Sequence, residues 1–299
     1  MSSRKRLEQL LHPRKPGTIV IVQADHAESL SAMAEARNEG LARFILVGNR
    51  ERILTTADEE EISLEGSDII PAPDDQTSAA LAVQMAAEGS VDVIMKGRIP
   101  TSTFTRALLD KERGLIPKGG LISHVSLFEL PGLPGPVFLT DAAINIAPDL
   151  EQKKKILSNA LNIAVSLGIE APRVACIAPV EKVNPKMPCT RDAAALGEMD
   201  FEPIAPGTCI EGPMALDVAL SRDAADIKGI DSRVSGRPDI LLFPDLNSAN
   251  AVYKAFVFLG GGSNAAFLAG LKIPVVLTSR SDSAKVRYLS MKMALTSAV

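Results

Sequence analysis

The sequence predicts an α/β protein built on mostly parallel sheets, and three observations carry that prediction. Short apolar runs rich in β-branched residues alternate with amphipathic stretches along nearly all of the 299 residues. The links between them are short, so each strand hands over to a helix that crosses back over the sheet, and successive strands run parallel. Hydrophobic residues make up 46% and charged residues 23%, the balance of an ordinary globular chain, with length for roughly two domains of about 100–200 residues each.

The elements follow in order. MSSRKRLEQLLHPRKPG reads as a short basic lead-in helix stopped at Pro13, without the apolar core of a secretion signal. TIVIVQAD (18–25) is a buried-strand pattern, and HAESLSAMAEARNEG (26–40) is a helix closed by Gly40. ARFILVG (42–48) is the next strand, a helix runs through about residue 58, and SDIIPAP (67–73) is strand-like. Residues 74–89 form a helix opened by Asp74 or Asp75 and closed by Gly89, and VDVIMKG (91–97) is a strand. ISHVSLFEL (122–130) and GPVFLTDAAI (135–144), separated by LPGLPGP, can pair as antiparallel neighbours. Residues 149–168 make a long amphipathic helix, with Leu150, Ile156, Leu157, Leu161, Ala164 and Leu167 at three- and four-residue spacings. The alternation continues through 173–180, 190–199, 208–213, 214–221, 239–245 and 246–260, and ends with IPVVL and the helix AKVRYLSMKMAL. The composition shift near 131–148 marks the best domain boundary, and no internal repeat or low-complexity segment is present.

Several function classes are disfavoured. A net charge of -4 argues against nucleic-acid binding by bulk charge, and no window approaches the ~18 apolar residues of a membrane span. Cys176, Cys189 and Cys209 form no CxxC pair, and His12, His26 and His124 have no metal-ligand spacing, so no metal site is expected. Three unpaired cysteines fit reduced thiols in a cytoplasm. There is no GxGxxG after the first strand, no GxxxxGK[ST] and no GxSxG.

In open parallel sheets ligands sit at the carboxyl ends of strands. This chain places unusual polar chemistry there. Lys96, Gly97, Thr101, Ser102, Thr103 and Arg106 follow VDVIMKG; Asp141 and Asn145 follow VFLTD. Glu181, Asn184, Lys186 and Thr190 follow CIAPVE; Asp245, Asn247 and Asn250 follow LLFPD; LTSRSDS follows IPVV. Taken alone, a Ser or Thr in such a turn is usually a helix cap, Lys153-Lys154-Lys155 a solvated face, His124 as well a structural histidine as a ligand contact, and the cysteines small buried hydrophobes. Capping does not explain four or five polar and partly cationic turns at one end of one sheet system. Helix N-termini and cations together suit a phosphate-bearing ligand.

The ordered series MKGRIPTSTFTRALLDKERGL, SHVSLFEL, FLTDAAIN, VEKVNPKMPCTRDAAAL, EGPMALDVALS, GRPDILLFPDLNSANAVYK and PVVLTSRSDS resembles the phosphate acetyl/butyryltransferase family, more closely its butyryltransferase branch. The likeness runs from about residue 90 to about 290; before that only the βα rhythm is shared. The resemblance implies a two-domain, three-layer α/β/α fold like that of isocitrate and isopropylmalate dehydrogenases, with an active cleft between domains. It places residues 1–144 plus 268–299 in the first domain and 145–267 in the second. It further implies a homodimer and a metal-free reaction on small molecules without a permanently bound cofactor; charge, hydropathy and cysteine usage add the expectation of a cytoplasmic protein with no membrane or nucleic-acid partner. Coenzyme A is a co-substrate in the reaction acyl-CoA + phosphate ⇌ acyl phosphate + CoA.

Carried over by residue, the resemblance sets Ser279 beside the CoA sulfur and Arg280 on the developing charge. Arg106, with Thr103 and Lys96 nearby, binds phosphate or the 3′-phosphate end of CoA. Asn184, Lys186 and Thr190 form a polar loop facing the cleft, with Asp245 and Asn250 as further substrate contacts. Two departures stand out. The acetyltransferase branch carries an acid two turns past its Ser-Arg pair; here that position is Val286, and Asp282 is the nearest carboxylate, so the thiol-base role falls to Asp282 or to no residue. The segment after Tyr253-Lys254 is apolar and then glycine-rich (AFVFLGGG), a less charged wall suited to a longer acyl chain. Two other readings remain: a non-catalytic CoA or acyl-phosphate binder, and a decarboxylating dehydrogenase of related fold, which would need an aspartate cluster and a nicotinamide loop that the sequence lacks.

Overall fold

The computed structural model describes residues 6–110, 112–279 and 282–298. Along the chain run α1 (Leu7–Leu10), β1 (Gly17–Val22), α2 (Ala27–Asn38), β2 (Ala42–Gly48), α3 (Arg50–Glu59), β3 (Ser67–Pro71), α4 (Asp75–Ala87), β4 (Val93–Lys96) and α5 (Thr101–Leu108). Then come β5 (Ser123–Glu129), β6 (Val137–Thr140), α6 (Leu150–Ser166), β7 (Arg173–Ile177), α7 (Pro188–Gly197), β8 (Cys209–Met214), α8 (Leu216–Leu220) and α9 (Arg222–Ile227). The chain ends with β9 (Ile240–Leu242), α10 (Leu246–Leu259), β10 (Ser263–Ala269), β11 (Val275–Val276) and α11 (Ala284–Ser297). The α/β class and the mostly parallel pairing read from the sequence are present.

The chain forms two compact units, one of Leu11–Gly120 with the chain from Ala265 onward, the other of the chain up to Leu10 with Leu121–Asn264. This division differs from the expected 1–144 plus 268–299 and 145–267. The reason is pairing: β5 lies antiparallel to β6, with Val125 opposite Thr140, and β6 lies parallel to β9, with Phe138 opposite Ile240. Residues 121–144 are therefore held by strands that come later in the chain.

In the unit that begins at Leu11, the strand order is β3-β2-β1-β4-β11-β10, parallel except for β10 against β11. Ile19, Val20, Ile21 and Val22 are all fully buried, so β1 is covered on both faces, as a central parallel strand requires. Its register sets Ile21 beside Leu46 on one side and Met95 on the other. Helix α4 buries Ser78, Ala79, Ala82, Val83 and Ala86, small side chains that bring it close to the sheet. Asp74 caps it by accepting from the Thr77 amide at 2.7 Å.

In the other unit the order is β5-β6-β9-β7-β8, with β6, β9, β7 and β8 parallel. Helix α6 starts at a complete capping box: Asp149 accepts from the Gln152 amide at 2.8 Å and Gln152 Oε1 accepts from the Asp149 amide at 2.9 Å. Its apolar stripe is buried as the spacing predicts, through Ile156, Leu157, Leu161 and Ala164. Lys153 departs from the solvated face expected of it: it is buried and meets Asp192 at 2.6 Å, tying α6 to α7. One core here gathers Phe128, Val137, Leu139, Leu241, Phe243 and Tyr253. His124 is buried, and its ring meets Tyr253 edge-on at 5.6 Å, so it belongs to the packing. Cys176 and Cys209 are buried, and burial pushes the Cys176 thiol up to about 12, so it stays protonated.

Candidate functional site

In the unit that begins at Leu11, β4 and β11 run parallel with Val275 beside Ile94 and Val276 beside Met95. That register delivers Lys96-Gly97 and the Thr278–Ser279 turn to the same carboxyl edge. The exit from β4 is tight. The Gly97 amide donates to Val22 O at 2.9 Å and the Arg98 amide to Gln23 O at 2.8 Å. A Cβ on Gly97 would lie 2.2 Å from Gln23 O, so no other residue fits without moving backbone. Lys96 is buried, with Nζ donating to Gly97 O at 3.3 Å. Helix α5 follows, anchored by buried Phe104 and Leu108, and it presents Thr103 half-buried and Arg106 exposed.

The turn after β11 is closed on itself. Asp282 Oδ2 accepts from the Ser279 amide at 2.6 Å, and the Asp282 amide donates to Ser279 O at 3.2 Å. Ser283 caps α11 by accepting from the Val286 amide at 3.4 Å. Arg280 lies outside the described residues. Behind the turn stands Arg287, buried and donating to Ser279 O at 2.8 Å, a residue that the sequence reading passed over. Its only sequence signal is an arginine on the face of α11 that the helical period turns inward.

Beside this edge a cavity of about 770 Å³ opens at the ends of β1, β2 and β3, lined by Gln23, Asp25, His26, Asn49, Arg52 and Arg98 among others. Asp25 is buried, with Oδ2 at 3.2 Å from Arg98 Nη1 and 3.9 Å from Arg52 Nη1. Burial, and next the charge of Arg287, hold His26 below the ordinary imidazole value, so its neutral form dominates at pH 7. The sequence reading did not single out this cavity.

In the unit that holds β5 to β9, the carboxyl ends of parallel β6, β7 and β9 carry the remaining residues. The Asp141 carboxylate gathers the amides of Ala143 at 2.9 Å, Ile144 at 3.1 Å and Asn145 at 3.1 Å, which fixes the turn after β6. Asn250 Nδ2 donates to Ala142 O at 2.9 Å, and Asp245 caps α10 by accepting from the Ser248 amide at 2.9 Å. After β7, Thr190 is fully buried; its hydroxyl accepts from the Asn184 amide at 2.9 Å and donates to loop carbonyls. Asn184 Oδ1 accepts from the Lys186 amide at 2.9 Å, which leaves the Lys186 side chain exposed. Thr190 thus fastens its own loop in this structure. Asp245 and Asn250 spend the polar atoms named above on backbone.

Lys96, Ser279 and Asp282 therefore come to one sheet edge of one unit, with Thr103 and Arg106 on the helix that follows β4; Asn184, Lys186, Thr190, Asp245 and Asn250 belong to the other unit. Among the described residues no group of three or more His, Cys, Asp and Glu side chains is placed to hold a metal ion. No helix among them is long and apolar enough to cross a membrane.

The strands and their pairing define a mostly parallel α/β protein with lysine and hydroxyl side chains at a carboxyl edge and no dinucleotide fingerprint, and comparison with known proteins narrows the class. Residues 74–295 match the family model described as phosphate acetyl/butaryl transferase, and the chain belongs to that family of acyltransferases. It is 38% identical to the phosphate butyryltransferase of Clostridium acetobutylicum over 92% of this chain and 91% of that one. It is 36% identical to the phosphate acetyltransferase of Thermotoga maritima, over 92% and 93%. Among solved structures, a branched-chain phosphotransacylase from Enterococcus faecalis superposes with a TM-score of 0.82 at 30% identity, over 94% of this chain and 98% of that one.

Proposed function

We propose that the chain interconverts a short-chain acyl-CoA plus phosphate with acyl phosphate plus CoA, by direct transfer in a ternary complex. The observation that carries this is the self-closed Ser279–Asp282 turn delivered beside the Lys96 end of β4 at one carboxyl edge. Written toward acyl-CoA, the CoA thiolate attacks the acyl carbonyl carbon and a C–S bond forms. The C–O bond to phosphate then breaks, and phosphate leaves with the electron pair. A free thiol has a pKa of about 8.5, so fixed positive charge that favours the thiolate raises the rate. In this reading Ser279 stands at the CoA sulfur, Arg280 meets the developing charge, and Arg106 with Thr103 and Lys96 holds phosphate groups. Asn184 and Lys186 supply further polar contacts to substrate, and the working form is a cytoplasmic homodimer with CoA as co-substrate. The Asp282 carboxylate makes its short contact to the Ser279 amide, which favours a role in shaping the turn over that of thiol base.

The acyl preference we assign is butyryl-like. The segment following Tyr253-Lys254 has no charged side chain up to Gly262, and Phe256 and Val257 pack on the apolar core of their unit. The test is kcat/KM across C2 to C5 acyl-CoAs with phosphate, read as CoA release. Folded protein without turnover on any of them would sink the proposal, and a maximum at C2 would remove the butyryl preference alone.

A further inference from the structure

We infer that Arg287 is a positioning residue for acyl transfer, holding the backbone on both sides of Arg280 in register with helix α11. The inference rests on the acyl-transfer reading above and adds to it a residue which that reading does not use. Arg287 is 1% exposed and stands first by volume among the fully buried side chains. A guanidinium is expensive to bury, and the apolar packing of α11 is already supplied by Leu289, Met291, Met293 and Leu295.

What the burial achieves is visible in where the donors go. Nη2 donates to Ser279 O at 2.8 Å, and Nε donates to Asp282 O at 3.3 Å. Nη1 donates to the Thr278 hydroxyl and, at 3.4 Å, to Ser29 Oγ on α2. All four acceptors are neutral oxygens, and three of them belong to the turn after β11. A planar fork with five N–H groups in fixed geometry can hold several acceptors at once; a single ammonium cannot reproduce that spread.

The local geometry explains why residue 287 has this reach. A helical side chain leans toward the N-terminus of its helix, over the turn before its own Cα. Arg287 lies one turn inside α11, with its amide bonded to Ser283 O at 3.2 Å, so its head group falls back onto the loop that opens the helix. The loop is thereby fixed from two directions. Asp282 closes it from within through the Ser279 amide, and Arg287 holds the Ser279 and Asp282 carbonyls from behind. Residues 280–281 lie between those two tied carbonyls in sequence. Ser29 extends the same network to α2, where its Oγ sits 3.3 Å from His26 Nδ1. Burial pulls the guanidinium below its ordinary value, and the charges of Asp282 and then Glu28 push it back up, so it stays a cation.

The test compares Arg287→Met, Arg287→Lys and the wild-type full chain by steady-state kinetics with acyl-CoA and phosphate, by thermal melting, and by amide hydrogen exchange of the segment 276–284. In the Met variant kcat is expected to fall about 10²-fold, the loss typical of a reacting group displaced by an ångström, with KM for either substrate within about 3-fold of wild type. Exchange should rise at Ser279 and Asp282 and stay unchanged along β1. The Lys variant should regain part of kcat, because its ammonium still reaches one or two of the same oxygens. A folded Met variant with wild-type kcat, or with unchanged exchange at 278–282, overturns the inference. If the Met variant does not fold, a folded Lys variant with wild-type kcat and exchange overturns it instead. An inactive wild-type chain sinks the acyl-transfer reading and with it any role of Arg287 in turnover; an active wild type with an unimpaired variant sinks the role of Arg287 alone.

Discussion

Asp282 is the position where two roles predict different kinetics. Its carboxylate accepts from the Ser279 amide at 2.6 Å, a charge-assisted bond from a backbone donor. Such a bond is worth about 1.5–3 kcal/mol, and its neutral counterpart about 0.5–1.5 kcal/mol. Asp282→Asn keeps an acceptor oxygen in place and removes the charge, so it gives up about 1 kcal/mol, roughly a fivefold loss in rate if the turn geometry limits turnover. Asp282→Ala removes the acceptor and frees the turn, a loss on the order of 10- to 100-fold. The assay is kcat/KM toward CoA with acyl phosphate in excess, across pH 6 to 9, with folding checked by melting temperature. A turn-shaping Asp282 gives Asn well above Ala, and both with the pH profile of wild type. If Asn is as poor as Ala and both lose the acidic limb of the profile, Asp282 is the thiol base and the shaping argument fails.

Three further outcomes follow from the geometry. Asp149→Ala removes the side-chain half of the α6 capping box, the acceptor of the Gln152 amide, and should cost about 0.5–2 kcal/mol in urea unfolding without changing KM; no change in stability would remove the cap from the account. Gly97→Ala forces a Cβ to 2.2 Å from Gln23 O and should destabilise at the upper end of about 1–3 kcal/mol, or leave the chain insoluble; a soluble, fully active variant would show that the β4 exit has room to move. His26 is held below its ordinary value by burial, so between the folded and unfolded pKa the unfolded chain binds more protons. Its contribution to stability is therefore complete above about pH 6.5 and is lost as pH falls toward the folded value. His26→Asn should flatten that part of the stability–pH curve, and an unchanged slope between pH 7 and 5 would refute the assignment.

Much of the fold was legible because the determining signals are local. TIVIV can be little else than a buried strand, and α6 announces itself by a cap, a box and an apolar stripe within twenty residues. Strand β10 was not legible: SNAAFLA is rich in alanine with no β-branched residue, and its extended state comes from pairing with β11, Leu268 opposite Val275. Helix α9, six residues long and exposed at Ile227, gave no periodic signal to read. For the site, the sequence showed which turns are polar, and strand pairing brings two of them, after β4 and after β11, to one edge. It did not show which polar atoms are already spent. Thr190 was read as a cleft contact, yet its hydroxyl closes its own loop, six residues from its partner Asn184.

By itself, then, the sequence determined the strand–helix alternation and the family, because each depends on short-range pattern or on motif. Tertiary structure decided the rest. Residues 121–144 join the unit of β7 and β9 through strand pairing that no local rule dictates. Arg287 reads in sequence as one polar residue on an amphipathic helix. It becomes a buried fork behind Ser279 only because α11 packs on α2, whose Ser29 lies 258 residues earlier in the chain. Contacts of that separation are set by how the elements pack, and no periodicity in the sequence records them.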